Sequence, residues 1–120
     1  MGDFRKLRVW KRAHDLALLT YQVTATYPRA ELYSLSSQMR RAAISVPINI
    51  AEGCGRNSNR ELARFIRIAL GSLTELESLV YLSKDLQICE EIRSREVVTL
   101  IRQLCGMLAS LDMTLRKASQ

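Results

Sequence analysis

The chain has 120 residues and a mass of 13.7 kDa, the length of one domain, which excludes a multi-domain enzyme. Hydrophobic residues make up 48% and charged residues 25% of it, while two prolines and five glycines leave little room for a turn-rich β fold, so disordered and collagen-like classes are also excluded. The formal net charge of +6 comes from an excess of Lys and Arg in the part of the chain up to Leu70, which indicates a polyanionic partner such as RNA, DNA or an acidic protein face.

Four segments carry the period of an amphipathic helix. The first runs from about residue 7 to residue 26 and is closed by Pro28. The second begins near residues 32 to 35 and runs to Glu52, where two glycines stop it. Pro47 lies inside the second segment and has no N–H to donate, so we predict one helix with a kink or bulge there. The predicted apolar stripes of these two helices consist of Trp10, Ala13, Leu16, Ala17, Tyr21, Val23 and Thr24, and of Leu35, Met39, Ala42, Val46 and Ile50.

The third helix opens at Ser58, whose hydroxyl can cap the N-terminus while Glu61 completes a capping box. The fourth follows Cys89 and begins with Glu90 and Glu91, which suit the positive end of a helix dipole. Their stripes consist of Leu62, Ile66, Ala69, Leu73, Leu76 and Val80, and of Val97, Ile101, Leu104, Leu108, Leu111 and Leu115. Four such helices with short loops predict an all-α, antiparallel up-down four-helix bundle, with residues 1–120 as a single domain.

The third and fourth helices carry more apolar surface than one bundle seam requires. At about 100° per residue, a second apolar flank lies roughly at a right angle to the main stripe of the third helix. The flanks consist of Ile68, Leu79, Leu82 and Leu86 on the third helix and of Leu100 and Met107 on the fourth. We therefore predict a homo-oligomer built through these flanks. A thick intramolecular core is the alternative.

The third helix also carries a ridge of arginines. Arg60, Arg64 and Arg67 recur at i, i+4 and i+7 opposite the apolar stripe, and Arg56 precedes them. A planar guanidinium can donate two hydrogen bonds to phosphate oxygens, so such a ridge can follow a nucleic-acid backbone without reading bases. A solvated helix face with local salt bridges, for example to Glu61, is the alternative.

Two further sets of cations are candidates for the same surface. Arg40 and Arg41 on the second helix would extend it if they face the same end of the bundle. The first helix begins with cations interleaved with apolar residues, and aromatic rings in such a setting can stack bases. These cations are Arg5, Lys6, Arg8, Lys11 and Arg12. Of the two candidate rings, Phe4 and Trp10, the second is in phase with the apolar stripe, so we interpret Trp10 as a core residue.

The sequence lacks the patterns that are typical of catalysis and metal binding. The single histidine, His14, follows Lys11 at the spacing where a di-iron bundle needs glutamate, and there is no nucleophile-elbow signature. Cys54, Cys89 and Cys105 match neither a disulfide framework nor a zinc motif, so we expect reduced thiols in a cytoplasmic protein. No secretory signal or membrane-spanning apolar run is predicted. We expect no enzyme activity, no cofactor and no membrane partner.

A long central motif is similar to that of a known family. Residues 37–53 read SQMRRAAISVPINIAEG, residues 55–56 read GR and residues 69–77 read ALGSLTELE. Together with FRKLRVW at residues 4–10 and YSL at residues 33–35, they resemble a bacterial four-helix bundle family that includes proteins encoded by intervening sequences in large-subunit ribosomal RNA genes. The resemblance covers nearly the whole chain.

This resemblance implies an up-down bundle that assembles as a cyclic homopentamer and has no established enzymatic activity. Relatives include the accessory variability determinant of diversity-generating retroelements, a pentamer that binds nucleic acid and a reverse transcriptase through basic surface. The motif match extends to Arg40, Arg41 and Arg56, whereas Arg60, Arg64 and Arg67 rest on helical phasing.

Three functions are consistent with these observations. The first is a non-catalytic, oligomeric protein that binds nucleic acid, RNA in preference to DNA, with little sequence readout. The second is an interaction scaffold whose basic face docks an acidic protein partner. The third is a helical ribonuclease that uses His14. A basic surface that serves solubility alone is the alternative to all three.

Overall fold

The computed structural model describes residues 2–118, which form four α-helices and two short 3₁₀ turns, Phe4–Lys6 and Arg29–Glu31. Helices that are consecutive in the chain pack together, and the first also packs against the last, so within the described chain the first and third helices lie on one diagonal and the second and fourth on the other. The molecule is a rod of 47 × 21 × 20 Å. The predicted all-α four-helix bundle is confirmed. Its helices are α1 (Arg8–Thr24), α2 (Leu35–Cys54), α3 (Asn59–Asp85) and α4 (Glu91–Ala118).

The start of α3 follows the predicted capping pattern in part. The Ser58 hydroxyl accepts the backbone N–H of Glu61 at 3.2 Å, so the predicted N-cap is confirmed. The Glu61 carboxylate, however, accepts a hydrogen bond from Arg64 Nε at 3.1 Å. The glutamate that was expected to close the capping box therefore neutralises part of the arginine ridge.

The second helix continues through Pro47 as one helix, as predicted, and it also runs past Gly53, where it was expected to stop. Pro47 is buried within a single helix, and Gly53 and Cys54 remain helical, so α2 extends beyond its predicted end at Glu52. A Cβ atom at Gly53 would lie 2.7 Å from Leu62 Cδ1 and 3.0 Å from Phe65 Cβ. This glycine therefore serves the close approach of α2 and α3, and it is Gly55 that ends the helix.

Three of the four predicted stripes form the core. All members of the α2 and α3 stripes are buried, and in α4 only Leu111 is half-buried. The predicted stripe of α1 is confirmed in part: Ala13, Leu16, Val23 and Thr24 are buried, whereas Trp10 and Ala17 are half-buried and Tyr21 is exposed. The residues that α1 buries are Val9, Ala13, Leu16, Thr20, Val23 and Thr24. Trp10 and Tyr21 lie at the edge of this face, where large amphipathic rings keep one side in water.

The predicted exposed flank exists on α3, where Leu79 alone is half-buried, but the residues predicted for the α4 flank lie against the core. Ile68, Leu82 and Leu86 are 41%, 49% and 55% exposed. On α4, by contrast, Leu100 is buried in the core, so the expectation of a second exposed flank there is wrong. Gly71 lies among the exposed residues of α3, and a Cβ atom at this position would meet no heavy atom within 4 Å.

Helix α4 is long and apolar enough, by length and composition, to cross a lipid bilayer. The expectation of no membrane-spanning run stays a prediction, because a match in length and composition by one helix does not test it. A core helix of a water-soluble bundle meets the same criterion, and α4 packs against both α1 and α3. It is also tied to α3 by two ion pairs, with Arg102 3.0 Å from Glu77 and Asp112 3.4 Å from Arg67.

Two helical glycines should respond in opposite ways to alanine. Gly106 is exposed in α4 and has open space where a Cβ would lie, so Gly106→Ala should raise the free energy of unfolding by about 0.5–1 kcal/mol. Gly53→Ala should lower it by about 1–3 kcal/mol, because the added methyl group would overpack the α2–α3 contact. Urea unfolding followed by circular dichroism measures both. Shifts of the same sign would contradict the packing described above.

Candidate nucleic-acid interface

The antiparallel packing sorts the charged residues into two unequal halves. Residues 2–17, 46–72 and 105–118 share one end of the rod, which we call the basic half. It contains eleven of the eighteen Lys and Arg residues but five of the twelve Asp and Glu residues. The remaining seven Lys and Arg residues and the remaining seven Asp and Glu residues lie in the neutral half, formed by residues 18–45 and 73–104. The whole net charge of +6 therefore belongs to one half of the bundle.

The α3 ridge lies in this basic half, and it begins with a guanidinium stack. Arg56 and Arg64 both lie over the ring of Phe65, at 5.3 and 4.6 Å from its centroid. The hydrogen bond from Arg64 lowers the pKa of Glu61, and the nearby charges of Arg56 and Arg60 lower it further. Glu61 thus stays ionised and offsets one positive charge. Arg56 and Arg60 form no ion pair within residues 2–118 and keep their full charge.

The far end of the ridge is anchored to α4. Arg67 Nη1 lies 3.4 Å from Asp112, whose second oxygen lies 3.2 Å from Arg116 Nη2. The Asp112 side chain is only 12% exposed, whereas both arginines are about half exposed. Sequence reasoning missed Asp112 and Arg116, although their i, i+4 spacing on α4 is a recognisable ion-pair signal.

The cations at the start of α1 lie at the opposite corner of the same half. Arg8 and Lys11 are exposed and form no ion pair with any described residue. Arg12 is engaged, because its guanidinium donates to Gln103 Oε1 on α4 at 2.5 Å and lies 3.7 Å from Asp15. Since α1 and α3 are diagonal in the bundle, this cluster and the α3 ridge are two separate basic surfaces.

Arg40 and Arg41 do not extend either surface. They lie in the neutral half, roughly 20 Å along α2 from Arg56, given a helical rise of about 1.5 Å per residue. Arg40 is half-buried: its Nε donates to Thr24 Oγ1 at 2.8 Å and its guanidinium lies 4.8 Å from the centroid of Tyr21. Arg40 therefore joins α2 to α1.

Arg41 is exposed and lies at a polar cleft between α2 and α3. The cleft has a volume of about 410 Å³, and Glu75 and the hydrogen-bonded hydroxyls of Ser45 and Ser72, 2.8 Å apart, also line it. Arg41 thus has an acidic neighbour across the cleft and lies outside the basic half.

The chemistry of the described residues is that of charge and hydrogen bonding. No group of three or more His, Cys, Asp and Glu side chains within residues 2–118 is placed to hold a metal ion. Cys54, Cys89 and Cys105 are free thiols, and burial raises the pKa of each. At neutral pH they are therefore protonated and weakly nucleophilic.

Comparison with known proteins agrees with the fold. A family model described as 23S rRNA-intervening sequence protein matches residues 5–110. A crystal structure of a protein with unknown function from the S23 ribosomal protein family of Bacteroides thetaiotaomicron VPI-5482 is similar, with a TM-score of 0.78 and 18% identity over 87% of this chain and 97% of that one. No curated protein matches the sequence.

The ion cluster at Asp112 should contribute more to stability than an exposed pair. Asp112→Asn leaves Arg67 and Arg116 without their shared carboxylate, so we expect a loss of about 1–2 kcal/mol in the free energy of unfolding. Glu96→Gln, whose partner Arg93 is 3.5 Å away on an exposed face, should cost less than about 0.5 kcal/mol. Chemical denaturation measures both. Equal losses of unfolding free energy would show that Asp112 contributes no more than an exposed ion pair.

Proposed function

The chain belongs to the family of 23S rRNA-intervening sequence proteins, and we propose that it is a non-catalytic, cytoplasmic homo-oligomer that binds nucleic acid, RNA in preference to DNA, through its basic half. The observation that carries this proposal is the concentration of the entire net charge of +6 at one end of the rod. A polyanion is the partner that such a field attracts most strongly.

The basic half supplies two kinds of phosphate contact. Arg8, Lys11, Arg56 and Arg60 are exposed and free of ion pairs within the described chain, so they can bind phosphate at little cost. Arg64 and the other engaged arginines must first exchange a carboxylate for a phosphate. The affinity should therefore come mainly from counterion release and depend steeply on salt, with little sequence readout.

RNA fits these surfaces because of their geometry. Each basic surface is a short convex row on a helix, whereas a rigid duplex presents its phosphates along a fixed groove spacing. An unpaired RNA strand is flexible enough to follow two such rows at opposite corners of one bundle. The geometry therefore favours a single strand over a duplex, and the proposed preference for RNA rests on the unpaired loops and ends that RNA commonly presents.

The proposed oligomer uses the apolar flank of α3, and its occupant is a second copy of this chain. Ile68 lies one turn from Gly71, where a neighbouring backbone can approach closely, and Leu82 is exposed three turns further along α3. Arg41 and Glu75 beside this flank supply opposite charges for contact between copies. A cyclic pentamer, as the family resemblance implies, would repeat the basic half around a ring and multiply a weak contact by avidity.

The salt dependence of RNA binding tests the α3 ridge. We expect log Kd of an unstructured RNA to rise steeply with log salt. Replacing Arg60, Arg64 and Arg67 with Gln should reduce the slope by about 1.5 to 2, the equivalent of two to three phosphates on a single strand. The control replaces Arg29, Arg93 and Arg95 with Gln. This removes three positive charges from the neutral half and should leave the slope nearly unchanged.

The outcomes separate the proposed functions. Equal slopes for both triple variants would remove the α3 ridge from the interface. No binding at low salt would eliminate nucleic-acid binding and leave the scaffold for an acidic protein. RNA cleavage by the pure protein that is lost in His14→Ala would support the ribonuclease instead.

Light scattering tests the oligomer. We expect a mass that is a multiple of 13.7 kDa, five times that mass if the ring is the proposed pentamer. Ile68→Glu combined with Leu82→Glu should reduce the mass to that of one chain, because a charge cannot be buried cheaply in an apolar interface. Leu18→Glu combined with Met113→Glu, at positions of similar exposure on α1 and α4, should leave the mass unchanged. A monomeric native protein would refute the oligomer.

A further inference from the structure

Three rings form a continuous row on the outside of the basic half. Phe4 meets Trp10 edge to face, with ring centroids 5.0 Å apart and planes at 68°. Trp10 in turn stacks on His14, with centroids 4.9 Å apart and planes at 25°. Phe4 and Trp10 are half-buried, and His14 is exposed. The row therefore begins against the core and ends in solvent.

The chain holds this row in place from both sides. Trp10 and His14 are four residues apart on α1, the spacing that places two side chains on one helix face. Asp3 accepts the backbone N–H of Arg5 at 3.0 Å and so caps the short turn Phe4–Lys6, which carries Phe4 onto the indole edge. The imidazole thus rests on Trp10 and is exposed to solvent.

A supported, exposed ring with lysines close by in the chain has a definite chemical preference. Lys11 follows Trp10 on α1 and Lys6 lies in the turn before the helix, whereas Arg8 is in phase with Arg12 on the side of α1 that faces α4. Both lysines are exposed, and neither forms an ion pair within residues 2–118. A planar aromatic group that carries a phosphate satisfies both features at once, and a nucleotide is such a group.

We infer that Phe4, Trp10 and His14 form a stacking platform for an unpaired base of a single-stranded nucleic acid, with Lys6 and Lys11 as its phosphate contacts. The inference rests on the proposed function and makes its ligand more specific. Bases inside a duplex are covered by their neighbours, so only a single strand, loop or end can offer a free face. The platform lies diagonally across the bundle from the α3 ridge and acts independently of it.

Trp10 is the only tryptophan of the chain, so its fluorescence reports on the platform directly. The probes are an unstructured single strand, an abasic strand of equal length and charge, and a duplex of the same number of phosphates. We expect the single strand to change Trp10 emission and to bind about tenfold more tightly than the abasic strand at the same salt. The abasic strand and the duplex should bind without changing the emission.

Variants separate stacking from charge and from folding. His14→Ala should weaken single-strand binding about tenfold and leave abasic-strand binding unchanged, whereas His14→Phe, which keeps a flat ring, should restore the affinity. Gln22→Ala, an exposed change further along α1, is the control and should alter neither.

Two results would overturn the inference, and they differ from each other. If the single and abasic strands bind equally, with no change in Trp10 emission and no effect of His14→Ala, the row is only packing and backbone binding stands without it. If no strand binds at low salt, the proposed function fails and the platform fails with it.

Discussion

The register between antiparallel helices is the constraint on which the rest of the structure depends. On the α2–α3 seam it is fixed by Gly53, where the Leu62 side chain fills the space that a Cβ would need, and by the hydroxyls of Ser45 and Ser72, 2.8 Å apart. Once this register is set, the axial level of every charged residue follows from the constant rise of the helix. The chain alternates direction, so residues far apart in sequence come to share an end.

Register changes the meaning of the charge pattern seen in the sequence. The basic excess of the chain up to Leu70 does not remain together: Arg29, Arg40 and Arg41 go to the neutral half, while Arg116 and Lys117 of α4 join the basic half. Within the basic half, packing sorts the cations again. Some, such as Arg67 and Arg64, are paired with a carboxylate, and others, such as Arg56 and Arg60, face water without an ion pair in residues 2–118. Only the second group adds to the field that a distant polyanion experiences.

The sequence was sufficient to predict helix starts and buried faces where a single physical signal dominates. The stripes of α3 and α4 are regular runs of Leu, Ile and Val, which have no reason to lie anywhere but inside, and Ser58 has the spacing of an N-cap. Prediction from the sequence failed for residues at which two signals compete. Trp10 and Tyr21 are large, apolar and in phase with a stripe, but each also has a polar or π-face contact available at the edge of the helix face, with His14 and with Arg40.

The candidate site was less predictable than the fold for a related reason. Helical phasing places Arg60, Arg64 and Arg67 on one face, but it contains no information on which carboxylates other helices bring nearby. Asp112 is 45 residues from Arg67 in the chain, and such contacts depend on tertiary register, which no local pattern encodes.

The polarity of the rod limits how copies can assemble. In a ring whose axis runs along the rods, all basic halves face the same side, so their charges add. A two-fold pair of antiparallel rods would place each basic half beside a neutral half and cancel the polarity. Such a ring would bring like charges together at a cost in electrostatic repulsion, which salt screens over a Debye length of about 8 Å under physiological conditions. A polyanion bound across several copies removes that repulsion, so by linkage nucleic acid and ring formation should stabilise each other.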